Sequence, residues 1–259
     1  MSNWSERSVR VGDDEIALLE AGNGKPLLVF HDELGPTSWQ TWHGELAKSR
    51  RLIMPLIPGF KGERIGWIRS VRDLATLYGH LLRREGIAPV DVLGFSLGGW
   101  IAAEMLAANP RQFGKAALVA PFGIKPSDGF IMDFFPMAAA DYVKHSVADV
   151  EAVEGFDTLY GPASPQQYES WEDARTECAR LAWEPYMHNQ SLEGLLRGVS
   201  DVPVLLFWGE KDAILPESAV KAYLRSISGS RAHIFKGCGH RPEVERPREF
   251  LAALNSFLA

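Results

Sequence analysis

Ser96 stands in Gly94-Phe95-Ser96-Leu97-Gly98-Gly99, where a short apolar run ends and an alanine-rich stretch begins. A Gly-x-Ser-x-Gly on a strand-to-helix turn strains the serine backbone and projects the hydroxyl above a sheet. Glycines two residues to either side relieve crowding from the neighbouring strand and helix. The helix N-terminus that follows presents free N–H groups, Leu97 N–H first, that can hold a developing oxyanion. Serine at its ordinary pKa is a poor nucleophile. It needs a base within hydrogen-bond reach and a third group to orient that base. Two later loops supply both types. Asp212 closes Gly209-Glu210-Lys211-Asp212 after the apolar run 204–208, and His240 closes Gly237-Cys238-Gly239-His240 after the run 232–235. The glycine–serine motif alone is weak; the chain order Ser96, Asp212, His240 gives it force. All three residues fall past strand-like runs, where open α/β sheets build their sites.

The elements that must position them follow from periodicity. Two β-type stretches, 7–11 and 15–20, are joined by Gly12-Asp13-Asp14 and read as a hairpin. Apolar runs without alternation at 26–31, 52–57, 90–95, 116–120, 204–208 and 232–235 fit strands buried on both faces of a mostly parallel sheet. Between them, 71–84 carries Val71, Leu74, Leu77, Tyr78, Leu81 and Leu82 on one helical stripe. A second helix, 97–108, stops at Asn109-Pro110. Pro216 and Pro247 each suit a first helical position. Asp91 and Asp201 precede strand-like runs and read as turn residues. Strands alternating with helices imply an α/β sheet with right-handed crossovers.

The alternation breaks between about Pro121 and Asp201. That stretch is rich in aromatic residues, among them Tyr142, Tyr160, Trp171, Trp183 and Tyr186. Ser164-Pro165-Gln166-Gln167 resembles a capping box, after which Tyr168, Trp171, Cys178 and Leu181 share one helical face. The expected organisation is a core of residues 1–121 and 201–259 with a helical cap, 122–200, inserted before the penultimate strand. Most of the cap aromatics would be packing residues, while a cap over the sheet's carboxyl edge would enclose an apolar, water-poor pocket.

With these motifs in place the chain resembles the α/β-hydrolase family from His31 to the last helix. The resemblance rests on Gly94 to Gly99, on Trp208-Gly209-Glu210-Lys211-Asp212, and on Gly237 to His240 with Glu245-Arg246-Pro247 behind it. Its small capped members, carboxylesterases and carbon–carbon-bond hydrolases, look most alike. The resemblance implies Ser96 as nucleophile, His240 as general base and then acid, and Asp212 as the group that orients His240 and stabilises its cation. It implies acyl transfer to Ser96 and then to water, cleaving a small to medium apolar carboxylic ester. The alternatives are cleavage of a carbon–carbon bond beside a carbonyl in a ketone or dienone, and a non-hydrolytic receptor for a small ligand on the same fold. No metal or organic cofactor is implied. Phe95, Phe122, Trp183 and Arg241 are the candidates to contact substrate.

Departures from the family pattern concern the oxyanion loop. Members commonly read His-Gly-x there, with the backbone N–H of x as second oxyanion donor. This chain reads His31-Asp32-Glu33, so Glu33 N–H takes that role by position. The two acidic side chains are expected to point away; the alternative is a loop suited to a cationic or hydroxylated substrate. His31 is expected to pack the loop. Leu56 replaces the family's usual aspartate after the fourth strand. Arg241 stands where meta-cleavage-product hydrolases commonly have tryptophan, and is expected in a surface salt bridge or on a substrate carboxylate.

Composition narrows the classes. A chain of 259 residues suits one large domain or one domain with an insert. With 46% hydrophobic and 23% charged residues it is ordinary globular material. A net charge of −6 lacks the footprint of a nucleic-acid or anionic-membrane binder. Cys178 and Cys238 are too far apart for a paired-ligand motif, and His43, His80, His145, His188 and His233 show no i, i+4 pairing. The polar N-terminus has no signal-peptide run, and no stretch is long enough to span a membrane. The expectation is a cytoplasmic protein, monomer or homodimer, that acts on a small molecule.

Overall fold

The apolar runs form one eight-stranded sheet in the computed structural model, which describes residues 4–36, 39–60, 63–160 and 164–259. The strands are β1 (Ser5–Val11), β2 (Asp14–Ala21), β3 (Lys25–Phe30), β4 (Arg50–Pro55), β5 (Val90–Phe95), β6 (Phe113–Val119), β7 (Val204–Gly209) and β8 (Arg231–Phe235). Their order is β1-β2-β4-β3-β5-β6-β7-β8. The hairpin β1–β2 and the β2–β4 pair are antiparallel, and every other pair is parallel. The helices are α1 (Thr41–Ala47), α2 (Val71–Glu85), α3 (Leu97–Ala108), α4 (Ala139–His145), α5 (Phe156–Tyr160), α6 (Pro165–Ala182), α7 (Leu192–Leu196), α8 (Glu217–Ser226), α9 (Pro242–Glu245) and α10 (Pro247–Leu258).

Two apolar layers sandwich the sheet. On one face Leu27, Val29, Leu93, Phe95, Phe207 and Phe235 meet Trp42 and Leu46 of α1 and Phe250 and Leu254 of α10. On the other, Leu28, Phe30, Val92, Leu118 and Leu206 meet α2, α3 and α8. Helix α2 is fixed at both ends. Ser70 Oγ accepts from Asp73 N while the Asp73 carboxylate accepts from Ser70 N, and Gly86 ends the helix in the left-handed region at φ 64°. Pro247 opens α10 as expected, whereas Pro216 lies one residue before α8.

Asp91 corrects the turn reading. It lies within β5, is buried, and takes Lys25 Nζ and Arg50 Nη1 on one oxygen, each at 2.7 Å. The starts of β3 and β4 bring both cations to it, a pairing the local sequence cannot reveal.

Between β6 and β7 the described residues form no strand, only α4 to α7 and a short 3-10 turn at Val150–Ala152. Helix α6 begins at Pro165 with Ser164 Oγ accepting from Gln167 N. Trp171, Cys178 and Leu181 are buried along its face while Tyr168 is exposed. Gly123 and His188 pair as an isolated bridge, tying the two ends of the insertion together.

Candidate active site

Ser96 occupies the turn between β5 and α3 at φ 49° and ψ −108°, with its N–H donated to Val119 O at 2.8 Å. A side chain at Gly94 would bring its Cβ within 2.5 Å of Gly98 O, and one at Gly98 within 2.4 Å of Phe30 O. The elbow therefore requires both glycines. Leu97 is the first residue of α3, where backbone N–H groups leave the helix end without intrahelical acceptors.

The loops after β7 and β8 bring the other two groups to it. Asp212 Oδ1 accepts from Ile214 N at 2.8 Å and Leu215 N at 2.9 Å. Those bonds aim Oδ2 at His240 Nδ1, 2.8 Å away. His240 N–H donates to Ser146 O at 2.9 Å, and His240 Nε2 lies 2.9 Å from Ser96 Oγ. With Nδ1–H donated to Asp212, Nε2 is left to accept the serine proton. Burial pushes the His240 pKa down, but the Asp212 carboxylate, its hydrogen bond and Glu33 outweigh burial and hold it above the ordinary histidine value.

The loop after β3 departs from expectation. Asp32 and Glu33 do not point away; both are buried. Asp32 Oδ1 accepts from Leu34 N at 2.9 Å, and Asp32 Oδ2 pairs with Arg241 Nη1. Glu33 Oε1 accepts from Tyr142 Oη at 2.5 Å and from Arg241 Nη2 at 3.2 Å. Burial alone would raise the Glu33 carboxyl. Arg241, His240, the Ser96 hydroxyl and Tyr142 outweigh it and hold the group below the usual carboxylate range. Arg241 is likewise not a surface residue. It is 2% exposed, donates Nε to Ser146 Oγ at 2.7 Å, and lies 5.7 Å over the Tyr160 ring. His31 packs the loop as expected, donating Nδ1 to Asp32 O at 2.8 Å and accepting Ile57 N at 3.2 Å.

Among the substrate candidates only Phe122 and Arg241 approach the site. The Phe122 ring lies 5.8 Å from the His240 ring, and Phe122 N donates to Ser96 O. Phe95 is a correction. The pleat of β5 turns it to the opposite layer, 5.2 Å from Trp42 and 6.1 Å from Phe250. Trp183 is 56% exposed and packs on Phe135 and Tyr186 rather than near Ser96. Tyr142 and Ser146, from α4 and the residue after it, are site neighbours that sequence reasoning did not single out. Nothing but membership of an aromatic-rich stretch marked Tyr142.

The site is closed. Ser96 and His240 are each 3% exposed. A cavity of about 30 Å³ between Leu34, Gly35, Pro36 and Tyr160, Trp171 of the insertion is far below ligand size. The charged groups around Ser96 also differ from the apolar pocket expected of the insertion. Cys178 and Cys238 are buried thiols raised by burial. Among the described residues no group of three or more His, Cys, Asp or Glu is arranged to hold a metal ion, and no helix is long and apolar enough to cross a membrane.

Fold and elbow define an α/β hydrolase, and the chain belongs to the alpha/beta hydrolase family, whose model matches residues 22–254. It is 26% identical to a 2-hydroxymuconate semialdehyde hydrolase of Pseudomonas sp. (strain CF600), over 99% of this chain and 97% of that protein. It is 25% identical to a 2-hydroxy-6-oxo-6-(2'-aminophenyl)hexa-2,4-dienoic acid hydrolase of Metapseudomonas resinovorans, over 100% of this chain and 92% of that protein. Among solved structures, the esterase RhEst1 from Rhodococcus sp. ECU1013 has a TM-score of 0.78 at 21% identity, covering 98% of each chain. A serine hydrolase of carbazole degradation has a TM-score of 0.78 at 22% identity, also covering 98% of each chain.

Proposed function

We propose that this α/β hydrolase is a serine hydrolase acting through Ser96, His240 and Asp212. One observation carries the reading: the continuous chain from Ser96 Oγ to His240 Nε2 at 2.9 Å and from His240 Nδ1 to Asp212 Oδ2 at 2.8 Å. His240 takes the serine proton as Oγ attacks the acyl carbon, and Asp212 stabilises the imidazolium that forms. Leu97 and Glu33 N–H hold the oxyanion; each such donor contributes about 3 kcal/mol to transition-state stabilisation. Collapse of the tetrahedral intermediate breaks the bond to the leaving group, which takes the proton from His240. Water, deprotonated by His240, then releases the acid from the acyl-serine.

The reaction proposed first is cleavage of a small carboxylic ester. Cleavage of a carbon–carbon bond beside a carbonyl is the second reading, favoured by the similarity over nearly the whole chain to the 2-hydroxymuconate semialdehyde and aminophenyl hexadienoic acid hydrolases. The same acyl-serine would form, with His240 delivering its proton to carbon. Residues 122–200 act as a cap in either case. Ser96 is 3% exposed, so substrate enters when the cap lifts from the loop after β3. A p-nitrophenyl ester series of increasing acyl length tests the ester reading. The expected result is turnover preceded by a burst of one p-nitrophenol per chain. No turnover at any length, nor of an ester whose acyl part carries an ammonium group, would remove it in favour of carbon–carbon cleavage.

A further inference from the structure

Glu33 brings two groups to one place. Its N–H is the proposed second oxyanion donor, and its carboxylate is folded in beside Ser96 rather than out to solvent. Oε1 is occupied by Tyr142 Oη at 2.5 Å and Arg241 Nη2 at 3.2 Å. Oε2 is wholly buried and has no partner at hydrogen-bond distance and angle; the Ser96 hydroxyl, engaged with His240 Nε2, is near enough to lower the carboxyl without satisfying that oxygen. Buried carboxylate oxygens are rarely left bare, because burial strips away water and returns nothing. Tyr142 from α4 and Arg241 from the loop after β8 hold the side chain in this position, so it is fixed rather than adrift.

Charge counting points the same way. One guanidinium, Arg241, pairs directly with two carboxylates, Asp32 and Glu33, and the buried Glu243 near it adds a third negative charge once it ionises. A negative charge is left over on the side of Ser96 where the oxyanion forms. A neutral acyl group would leave Oε2 unpaired and set a carboxylate against the developing oxyanion. An acyl group bearing a carboxylate would be repelled, since Arg241 is already engaged twice. A cation that also donates N–H bonds would satisfy Oε2 and cancel the surplus charge. Charge-assisted bonds of this kind are among the stronger ones available in a water-poor site.

We propose that Glu33 is a specificity-determining residue whose Oε2 receives a protonated amine on the acyl part of the substrate, close to the scissile carbonyl, so that the favoured substrates are amino-acyl esters. This rests on Ser96 as the acyl acceptor. The unpaired oxygen and the two-to-one charge ratio carry it, and the depressed Glu33 carboxyl agrees, since the group stays ionised at neutral pH.

The test separates binding from turnover. Ser96→Ala protein is titrated calorimetrically with three near-isosteric esters: ethyl 3-aminopropanoate, ethyl 3-hydroxypropanoate and ethyl butanoate. At about pH 8 the alkylammonium is still protonated. The expected result is binding of the ammonium ester about ten- to a hundredfold tighter than the butanoate, with the hydroxy ester between. Adding Glu33→Gln should shrink that preference to about threefold or less. Equal affinities, no binding of any ester, or a preference that survives Glu33→Gln would overturn the proposal. If the double variant does not fold, the series on Ser96→Ala alone decides. Hydrolysis of the same esters by the unaltered chain reads the function separately. Turnover without ammonium preference in binding sinks the specificity and leaves the hydrolase; preference without turnover does the reverse.

Discussion

Two hydrogen-bonded groups meet at Ser96 and are built in opposite ways. On one side, Asp212 and His240 each sit on a short loop past a strand; Ile214 N and Leu215 N, two and three residues on, aim Asp212, and a single backbone bond to Ser146 O ties His240 to the insertion. On the other, Asp32, Glu33 and Arg241 are held by contacts that span the chain, Arg241 to residues more than two hundred positions earlier and Glu33 to Tyr142 of the insertion. The first set uses one carboxylate to raise a histidine and is the proposed proton relay. The second crowds two carboxylates around one guanidinium and fixes a charge imbalance. The proposed chemistry thus rests mainly on local geometry, and the proposed selectivity on long-range packing.

The largest effect expected from either side is on the first. Asp212→Asn should lower kcat by about 10⁴, because the amide no longer fixes the tautomer that leaves Nε2 free to accept. The kcat/KM profile of the unaltered chain should rise with pH through a value above the ordinary histidine 6.5, since Asp212 and Glu33 favour the imidazolium. A loss under about tenfold on Asp212→Asn, or a rate flat from about pH 5 to 9, would put both sides of Ser96 on the same structural footing.

Stability should report the second set more strongly. Arg241→Met leaves Asp32 and Glu33 buried without their cation and should cost about 3–5 kcal/mol in urea unfolding. A change near zero would mean the carboxylates rearrange to water, breaking the contrast between a local proton relay and a fixed charge cluster.

Glu243 sharpens the same side by pH. Burial lifts its carboxyl to about 7, near Arg241 and Asp32. The folded chain therefore keeps a proton where the unfolded chain has lost it. Its contribution is present below the ordinary carboxylate value and is lost as pH rises through about 7. Glu243→Gln should flatten a fall in unfolding free energy of roughly 2–4 kcal/mol between about pH 4 and 8. An unchanged pH dependence of stability would assign that slope elsewhere.

The contrast also explains what could be read from sequence. Ser96, Asp212 and His240 were legible because each follows an apolar run at short range, and sheet and helices were legible from the same runs. Phe95 was misplaced although strand alternation puts it with Leu93 on the opposite layer. Arg241 and Glu33 were misread for a different reason. Their burial depends on α4 closing over two loops, and no local pattern records that Tyr142 lands on Glu33. Asp91 hides its partners likewise, since Lys25 and Arg50 reach it only once β3 and β4 pair. Helix α1, only seven residues long, carries too short a stripe to be seen, though Gln40 and His43 cap it reciprocally.

The most direct measurement compares Ser96→Ala with the unaltered chain on an ester that the latter turns over. A fall in kcat of about 10⁶, with fold and melting behaviour retained, is the expected result. A loss below about tenfold would take Ser96 out of the mechanism and contradict the assignment of the hydrogen-bonded chain as catalytic machinery.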